Sequence, residues 1–350
     1  MAYTTINKST DHFNTKLYTG TTNGQSITAV GHQPSFTWIK DKDAAGGYSH
    51  MLFDAVRGVG KRIRSNSNVA EYTYADTLTS FDSDGFTLGA DSNTTEVNRN
   101  GANYVSWNWK ANGSGSSNTA GSINSTVSAN TTSGCSIVKW TGTASNATVG
   151  HGLGIAPELV FYKYLGTAGW YTYAKHAIGN NGAVGRLVVG FLENTAAFTN
   201  DLTSFQSTDP SSTLLYVGAG ANLSGANIAY CFASVQGFSK IGSYKGNGND
   251  NGSFIYTGFK PAWVLIKRSS AAGDQWQLSD NKRGINGAIK TLYPDSTEVE
   301  TSGDSIDFLS NGFKNKSSSV ARNGSGSTYI YMAFAEAPLV GSNNIPATAR

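Results

Sequence analysis

YTGTTNGQSITAVGHQPSFTWIK, residues 18–40, contains a motif that the chain repeats at residues 140–164 and 244–268. Each copy has Gly-x-x-Pro followed by an apolar run, and the run ends in a lysine six residues after the proline. The constant spacing indicates an internal repeat. The residues that define it are Gly31, Pro34 and Lys40, then Gly154, Pro157 and Lys163, then Gly258, Pro261 and Lys267.

Landmarks further along each copy keep the same register. The phenylalanine of LTSF (78–81), LTSF (202–205) and SIDF (305–308) lies 47, 48 and 47 residues after the proline of its copy. The last aromatic residue of a closing apolar run lies 75, 75 and 73 residues after that proline. We therefore predict a triplicated unit of roughly 100 residues.

The run after each proline predicts a β-strand. It is apolar at both alternating sets of positions and rich in β-branched and aromatic residues, which is typical of a central strand buried on both faces. Proline is tolerated at the first position of a strand, and the preceding glycine permits a bend. We expect the lysine that ends each run to mark the point where the strand emerges into water.

Composition favours an all-β fold. Glycine contributes 41 of the 350 residues, aromatic residues make up 11% and charged residues only 14%, against about 25% in an average protein. No long segment has helical periodicity. We predict three tandem β-sandwich repeats of jelly-roll-like type. Their boundaries are an N-terminal arm at 1–11, repeat 1 at 12–111, a flexible linker at 112–134, repeat 2 at 135–236, repeat 3 at 237–338 and a C-terminal tail at 339–350.

Charge and hydropathy exclude some classes of protein. The net charge is only +3 and the basic cluster KRIR (61–64) is short, so we expect a solvated loop there and no nucleic-acid binding. No signal peptide or membrane-spanning run is evident, and we predict no membrane insertion. Cys135 and Cys231 would meet if the terminal strands of the middle copy pair. Nothing indicates an oxidising compartment, so we expect free thiols.

The sequence offers no recognisable catalytic or metal site. The five histidines form no His-x-His pair or HExxH motif, and no Cys-x-x-Cys occurs. We therefore predict a protein that is not an enzyme and has no cofactor or metal. Asp54 and Arg57 recur as Asp280 and Arg283, which indicates either a local structural lock or a polar ligand contact.

The middle copy replaces that Asp-Arg element with GWYTYAKHAIGN. Aromatic side chains on a loop can pack in a core, anchor a protein interface or stack on sugar rings. The candidate surface or ligand contacts are Trp170, Tyr171, Tyr173 and His176, together with Trp276 at a related position in the third copy.

The chain resembles a family of virion proteins from marine tailed bacteriophages, which are described as tail-fibre or receptor-binding components. The resemblance extends over residues 12–338, and it implies no catalytic residues. The phrases that carry it are LTSFDSDGFTLG (78–89), YVSWNWKA (104–111), VGHGLGIAPELV (149–160), FIYTGFKPAWVLIKR (254–268), SIDFLSNGFK (305–314) and TYIYMAFAEAP (328–338).

The resemblance implies a structural virion protein on the exterior of a tail or capsid, made in the host cytoplasm. We expect a compact tail fibre or adhesin, because neither heptads nor Gly-X-Y repeats predict a shaft. Its partners would be a host glycan or outer-membrane protein, other virion proteins, and copies of itself in a homo-oligomer, first of all a trimer. The alternatives are a capsid-decorating or tail-scaffold protein without receptor binding, and a polysaccharide-degrading enzyme.

Overall fold

The computed structural model describes residues 4–43, 47–302, 306–338 and 340. The prediction of an all-β fold is confirmed: the described residues form β-strands and two short 3-10 turns, at Ser9–Asp11 and Gly185–Leu187. Apart from residue 340, the predicted C-terminal tail at 339–350 lies outside the described residues.

Repeat 1 is a sandwich of a six-stranded and a three-stranded sheet. Their strand orders are β1-β9-β3-β4-β5-β6 and β2-β8-β7. The strands are β1 (Phe13–Thr19), β2 (Gln25–Ile27), β3 (Phe36–Asp41), β4 (Met51–Asp54), β5 (Lys61–Arg64), β6 (Tyr72–Thr73), β7 (Leu78–Asp82), β8 (Gly85–Leu88) and β9 (Asn103–Trp109).

Repeat 2 has a six-stranded sheet and two two-stranded sheets. The orders are β10-β11-β12-β19-β14-β15, β13-β18 and β16-β17. The strands are β10 (Ser116–Asn118), β11 (Ser125–Asn130), β12 (Cys135–Gly142), β13 (Ala147–Gly150), β14 (Leu159–Tyr164), β15 (Trp170–Ala174), β16 (Val188–Val189), β17 (Thr199–Asn200), β18 (Leu214–Val217) and β19 (Gly225–Phe232).

Repeat 3 has a five-stranded and a three-stranded sheet, in the orders β20-β27-β22-β23-β24 and β21-β26-β25. In all three large sheets the closing strand lies between the opening strand and the strand that follows the proline. The strands are β20 (Ser239–Lys245), β21 (Phe254–Tyr256), β22 (Phe259–Arg268), β23 (Gln277–Asp280), β24 (Thr291–Leu292), β25 (Ile306–Leu309), β26 (Gly312–Asn315) and β27 (Thr328–Pro338).

Two kinds of core explain why these strands are apolar on both faces. Successive side chains of a strand point to opposite faces of its sheet. Ile39 of β3 and Phe86 of β8 pack between the two sheets of repeat 1. Phe36 and Trp38, on the other face of β3, pack into a core shared by all three repeats. The repeats therefore form one body around a central core instead of three independent domains.

The centre of the shared core is a triangle of aromatic rings, one from each closing strand. The centroid of Trp109 lies 6.0 Å from that of Phe232 and 5.7 Å from that of Phe334. The third side, from Phe232 to Phe334, is 6.0 Å. Phe13 of the first strand stacks on Phe334 of the last at 4.9 Å, so the start and the end of the described fold meet here.

Equivalent backbone hydrogen bonds join the repeats in a ring. The amide of Glu71 donates to the carbonyl of Leu165, and the amide of Phe198 donates to that of Ser269. The ring closes where the amide of Glu300 donates to the carbonyl of Lys42. The three acceptors each lie eight residues after the proline of their repeat, so the three junctions are related by pseudo-threefold symmetry.

A buried polar lock stabilises two of the three junctions. In repeat 1 the Arg57 Nε donates to Asp54, and Tyr230 of repeat 2 donates its hydroxyl to the same carboxylate at 2.7 Å. Glu71 accepts from the other end of the guanidinium at 3.1 Å. The side chains of Asp54 and Arg57 are both fully buried, which identifies them as a structural lock and not a ligand contact.

The second lock repeats this arrangement between repeats 3 and 1. Arg283 pairs with Asp280 at 2.6 Å and with Glu300 at 3.5 Å. The indole of Trp107 takes the role of the tyrosine and donates to Asp280 at 2.9 Å.

The third junction, between repeats 2 and 3, has apolar residues at all four equivalent positions. Ala174, Ala177 and Phe198 of repeat 2 and Met332 of repeat 3 are buried in the shared core. Removing one partner of a buried ion pair leaves a costly unpaired charge, whereas an apolar set of matching shape does not. The four positions therefore behave as one unit.

The expectation that the repeated lysines emerge into water is wrong. Lys40, Lys163 and Lys267 are at most 1% exposed. They lie on the strand face that points to the shared core, and each ammonium donates to carbonyls of its own hairpin and of the preceding repeat in the ring. The carbonyl in the neighbouring repeat belongs to Thr297, Asn68 and Asn194, respectively. Burial lowers the pKa of each lysine to about 8.

Two predicted loops are strands. The segment 112–134, predicted as a flexible linker, contains β10 and β11, which extend the large sheet of repeat 2. Val127 anchors this segment in the core of that repeat. KRIR (61–64) is β5, in which Arg62 is only 4% exposed and pairs with Glu96. In both cases sheet pairing and a buried partner outweigh the polar composition.

The remaining structural predictions concern the arm and the cysteines. Ile6, in the predicted N-terminal arm at 1–11, packs into the shared core. Cys135 and Cys231 are buried free thiols on adjacent strands, as expected. Burial raises the pKa of Cys231 to about 12, so this thiol stays protonated at neutral pH.

The glycine of each Gly-x-x-Pro motif has the left-handed conformation that the motif requires. Its φ is +92° at Gly31, +74° at Gly154 and +83° at Gly258. A Cβ at Gly154 would meet no atom within 4 Å, whereas one at Gly31 would lie 2.8 Å from the carbonyl oxygen of Thr10. A side chain at Gly154 would therefore cause backbone strain alone, whereas one at Gly31 would cause both backbone strain and steric overlap.

We expect Gly154→Ala to lower the free energy of unfolding by about 1–2 kcal/mol, the cost of a left-handed residue with a Cβ. Gly31→Ala should cost more, because the methyl group also overlaps the Thr10 carbonyl. Urea unfolding of the two variants measures the difference. Equal losses would contradict this reading of the two turns.

We expect Asp54→Ala to lower the free energy of unfolding by about 3–5 kcal/mol, because it leaves the buried Arg57 short of a counter-ion. The double variant Asp54→Ala/Arg57→Ala should be more stable than the single one, since it approaches the apolar third junction. Asp11→Ala, which breaks an exposed pair with Lys8, is the control. A double variant less stable than Asp54→Ala would refute the idea that the lock acts as a unit.

Stability should fall as the pH falls from 6.5 to 4. Burial lowers the pKa of His32 from 6.5 to about 4, so only the unfolded chain binds a proton in this interval. The shift corresponds to about 3 kcal/mol of stability that is present above pH 6.5 and lost towards pH 4. His32→Asn should flatten this part of a pH–stability curve measured by urea unfolding. His176→Asn, at a partly exposed site, is the control, and an equal effect of both would contradict the assignment.

Candidate functional site

The predicted surface aromatics Trp170 and Trp276 are buried at the junctions. Trp170 is 0% exposed and Trp276 is 1% exposed. Each indole N–H donates to a backbone carbonyl of the preceding repeat at 2.9 Å, that of Arg64 and that of Phe191, respectively. Prediction of these two residues as surface or ligand contacts is therefore wrong. Their ring faces complete the shared core.

The other three candidates divide between core and surface. Tyr173 is 1% exposed, and its hydroxyl donates to Asp209, so it is not a surface contact. Tyr171 is half-buried against Phe191. His176 is partly exposed beside Glu158. The structure does not bring the five residues together into one site.

A cavity of about 520 Å³ in repeat 3 is the strongest candidate for a functional site. Its floor is formed by β23 and β24, and its walls come from the loop before β23 and the loop before β27. Thr195 of repeat 2 contributes to the wall at the apolar junction. Exposed rim residues, among them Gly273, Thr301 and Ser319, leave the cavity open to solvent. Its size is within the range of small-molecule sites.

Arg322 is the central residue of this cavity. It lies in the wall and is only 2% exposed. Its Nε donates to the Gln277 side-chain oxygen at 3.0 Å, and its Nη2 donates to the hydroxyls of Ser279 at 3.0 Å and Thr291 at 2.6 Å. Its Nη1 is buried and has no hydrogen-bond partner among the described residues. In the described part of the chain, Arg322 has neutral partners only.

The backbone fixes this arginine as firmly as the side chain does. The hydroxyl of Tyr244 donates to the carbonyl of Arg322 at 2.7 Å, and the amide of Arg322 donates to Ser319. Burial lowers its pKa to about 10, so the guanidinium remains charged at neutral pH. The carboxylate of Asp274, also in the wall, is paired with Arg268 at 2.6 Å.

This arrangement suits the binding of an anion. A fixed cation with an unused donor, surrounded by hydroxyl and amide groups, can bind an anion through charge-assisted hydrogen bonds. The described residues contain no group of three or more His, Cys, Asp or Glu side chains placed to hold a metal. In the same residues, no helix is long and apolar enough to cross a membrane.

Arg322 does not stand out in the sequence, because a single arginine in a polar loop resembles an ordinary surface residue. One signal could have found it. The asparagines Asn98, Asn222 and Asn323 occupy the same place in the three repeats, and the residues before them are Val97, Ala221 and Arg322. A cation at a position that is otherwise apolar and buried predicts a special environment.

Comparison with known protein families gives one match. Residues 8–338 match a family described as a domain of unknown function, DUF7483. The chain belongs to the DUF7483 family. The match spans all three repeats, in agreement with a single body built around one central core. No curated protein matches the chain.

Proposed function

We propose that this DUF7483 protein is a non-enzymatic structural component of a bacteriophage virion, a compact tail fibre or adhesin that contacts the host surface. The observation that carries the proposal is the resemblance of phrases in all three repeats, from LTSFDSDGFTLG (78–89) to TYIYMAFAEAP (328–338), to virion proteins of marine phages. The resemblance supports a position on the exterior of a tail or capsid.

The rigid body around the aromatic triangle supports this role. A component of a particle surface has to keep its shape, and the shared core packs the three sandwiches against one another. The cavity beside Arg322 gives the body a place for a host ligand. A host surface glycan fits its hydroxyl-lined rim better than a flat protein surface does.

We further propose that the protein acts as a homo-oligomer, first of all a trimer, together with other virion proteins. Each copy would then present one cavity, so a trimer presents three. Weak contacts to a repetitive host surface add up through effective concentration when several sites engage at once.

Two measurements on the phage test the proposal. We expect antibodies against the purified chain to label the exterior of the virion tail or capsid in electron micrographs. We also expect the purified protein to reduce adsorption of the phage to host cells in a dose-dependent way. Absence of the protein from purified particles would refute the virion assignment.

A second function is favoured by one observation. The described residues form a compact body with no elongated shaft, which also suits a capsid-decorating or tail-scaffold protein. In that case the label would cover the capsid or tail tube, and the purified protein would leave adsorption unchanged.

A further inference from the structure

We propose that the cavity of repeat 3 is a built site for an anionic sugar, whose acidic group pairs with Arg322 and whose hydroxyls contact the polar rim. The inference deepens the proposed function by naming the ligand class of the cavity, and it rests on the attachment role only for its biological meaning. The three repeats allow the site to be compared with two related sandwiches that lack it.

Equivalent hydrogen bonds establish which residues correspond. The carbonyls of Asn98, Asn222 and Asn323 each accept a backbone hydrogen bond from the loop that follows the opening strand of their repeat. In repeats 1 and 3, a tyrosine of the opening strand also donates to the carbonyl of the residue before the asparagine, at 2.8 Å for Val97 and 2.7 Å for Arg322. Arg322 therefore occupies the place of Val97.

Two hydrogen-bond partners of Arg322 are also polar at positions where repeat 1 has apolar residues. Gln277 pairs with Ile266 in repeat 3 as Met51 pairs with Ile39 in repeat 1, so Gln277 corresponds to Met51. By the same register, Ser279 corresponds to Phe53. Met51, Phe53 and Val97 are all fully buried in the apolar core of repeat 1. In repeat 3 the corresponding Gln277, Ser279 and Arg322 are joined by hydrogen bonds.

Three coordinated replacements of apolar by polar residues do not serve packing. A buried cation without a carboxylate keeps most of its desolvation cost, and neutral hydroxyls compensate only part of it. Carboxylates neutralise the buried arginines of the two locks, since Arg57 and Arg283 each have two acidic partners. Arg322 has no such partner among the described residues. It lies in the wall of an open cavity, where an anion from outside can supply the missing negative charge.

The size and the lining of the cavity favour some anions over others. A cavity of about 520 Å³ is much larger than an inorganic ion. Its wall is rich in hydroxyl and amide groups, including those of Thr195, Gln275, Tyr293 and Ser319. Such groups match the hydroxyls of a sugar ring. The shared chemistry is an acidic sugar, which a host surface can present as a uronate or as a sugar phosphate.

The test is calorimetric titration of the full purified chain with glucuronate, glucose 6-phosphate, glucose and inorganic phosphate. We expect one or both sugar anions to bind and glucose to bind at least about tenfold more weakly, because the charged contact is lost. The first two probes distinguish a carboxylate source from a phosphate source. Inorganic phosphate should bind more weakly than the better sugar anion, since it cannot reach the rim.

Variants assign the binding to Arg322. Arg322→Met should weaken sugar-anion binding by about tenfold or more without lowering the thermal midpoint, because it removes an uncompensated buried charge. Thr195→Val, an exposed change in the rim, should weaken the sugar anions by about threefold and leave inorganic phosphate unchanged. Arg186→Met, at an exposed arginine outside the cavity, is the control and should have no effect.

Several results would overturn the assignment. They are equal binding of glucose and glucuronate, no binding of either sugar anion, full binding by Arg322→Met, and inorganic phosphate binding as tightly as the better sugar anion. These measurements need neither phage nor host. Sugar binding by a protein that is absent from virions would uphold the site and refute the proposed function, and a virion protein that binds no anion would do the reverse.

Discussion

The contact of Trp109, Phe232 and Phe334 at the centre of the molecule is the constraint on which the rest of the structure depends. Each ring belongs to a closing strand, so placing the three rings together fixes the position of all three large sheets. Once these sheets converge, one face of every central strand belongs to the common core and the other to its own sandwich. The burial of Lys40, Lys163 and Lys267 follows directly, because they continue the row of side chains that points inwards.

The junctions show how a symmetric arrangement tolerates unequal chemistry. Two use an Asp-Arg-Glu set with a tyrosine or tryptophan donor, and the third uses two alanines, a phenylalanine and a methionine. The backbone hydrogen bonds are the same in all three. Conserving the backbone contacts while exchanging complete side-chain sets keeps the charged groups of each lock paired. The buried arginines of the two locks, Arg57 and Arg283, have carboxylate partners, and Arg322 differs from them in this respect.

The all-β fold and the strands after Pro34, Pro157 and Pro261 could be predicted, because glycine turns and doubly apolar runs are local features. Whether a polar side chain is buried or exposed could not be predicted from the sequence. Lys163 and the linker segment 112–134 look solvated in the sequence. Their partners include a carbonyl of the neighbouring repeat for Lys163 and a strand of the large sheet for the segment, and these contacts form only in the folded molecule. The prediction that Trp170 is a surface contact is wrong for the same reason, because the residue is buried against the neighbouring repeat. Arg322 stands out only after the repeats are aligned by their asparagines, which requires a comparison across the whole chain instead of a local pattern.

The stacking of Phe13 on Phe334 brings the first and the last strand of the described fold together. The polypeptide enters and leaves the body at neighbouring places, so a longer protein can carry the whole unit on its surface as an insertion without distorting either partner. A load pulling β1 away from β27 would act on this contact and on the adjoining junction between repeats 3 and 1, which contains the Asp280–Arg283 lock. Mechanical failure would therefore begin at the seam between the first and the last strand.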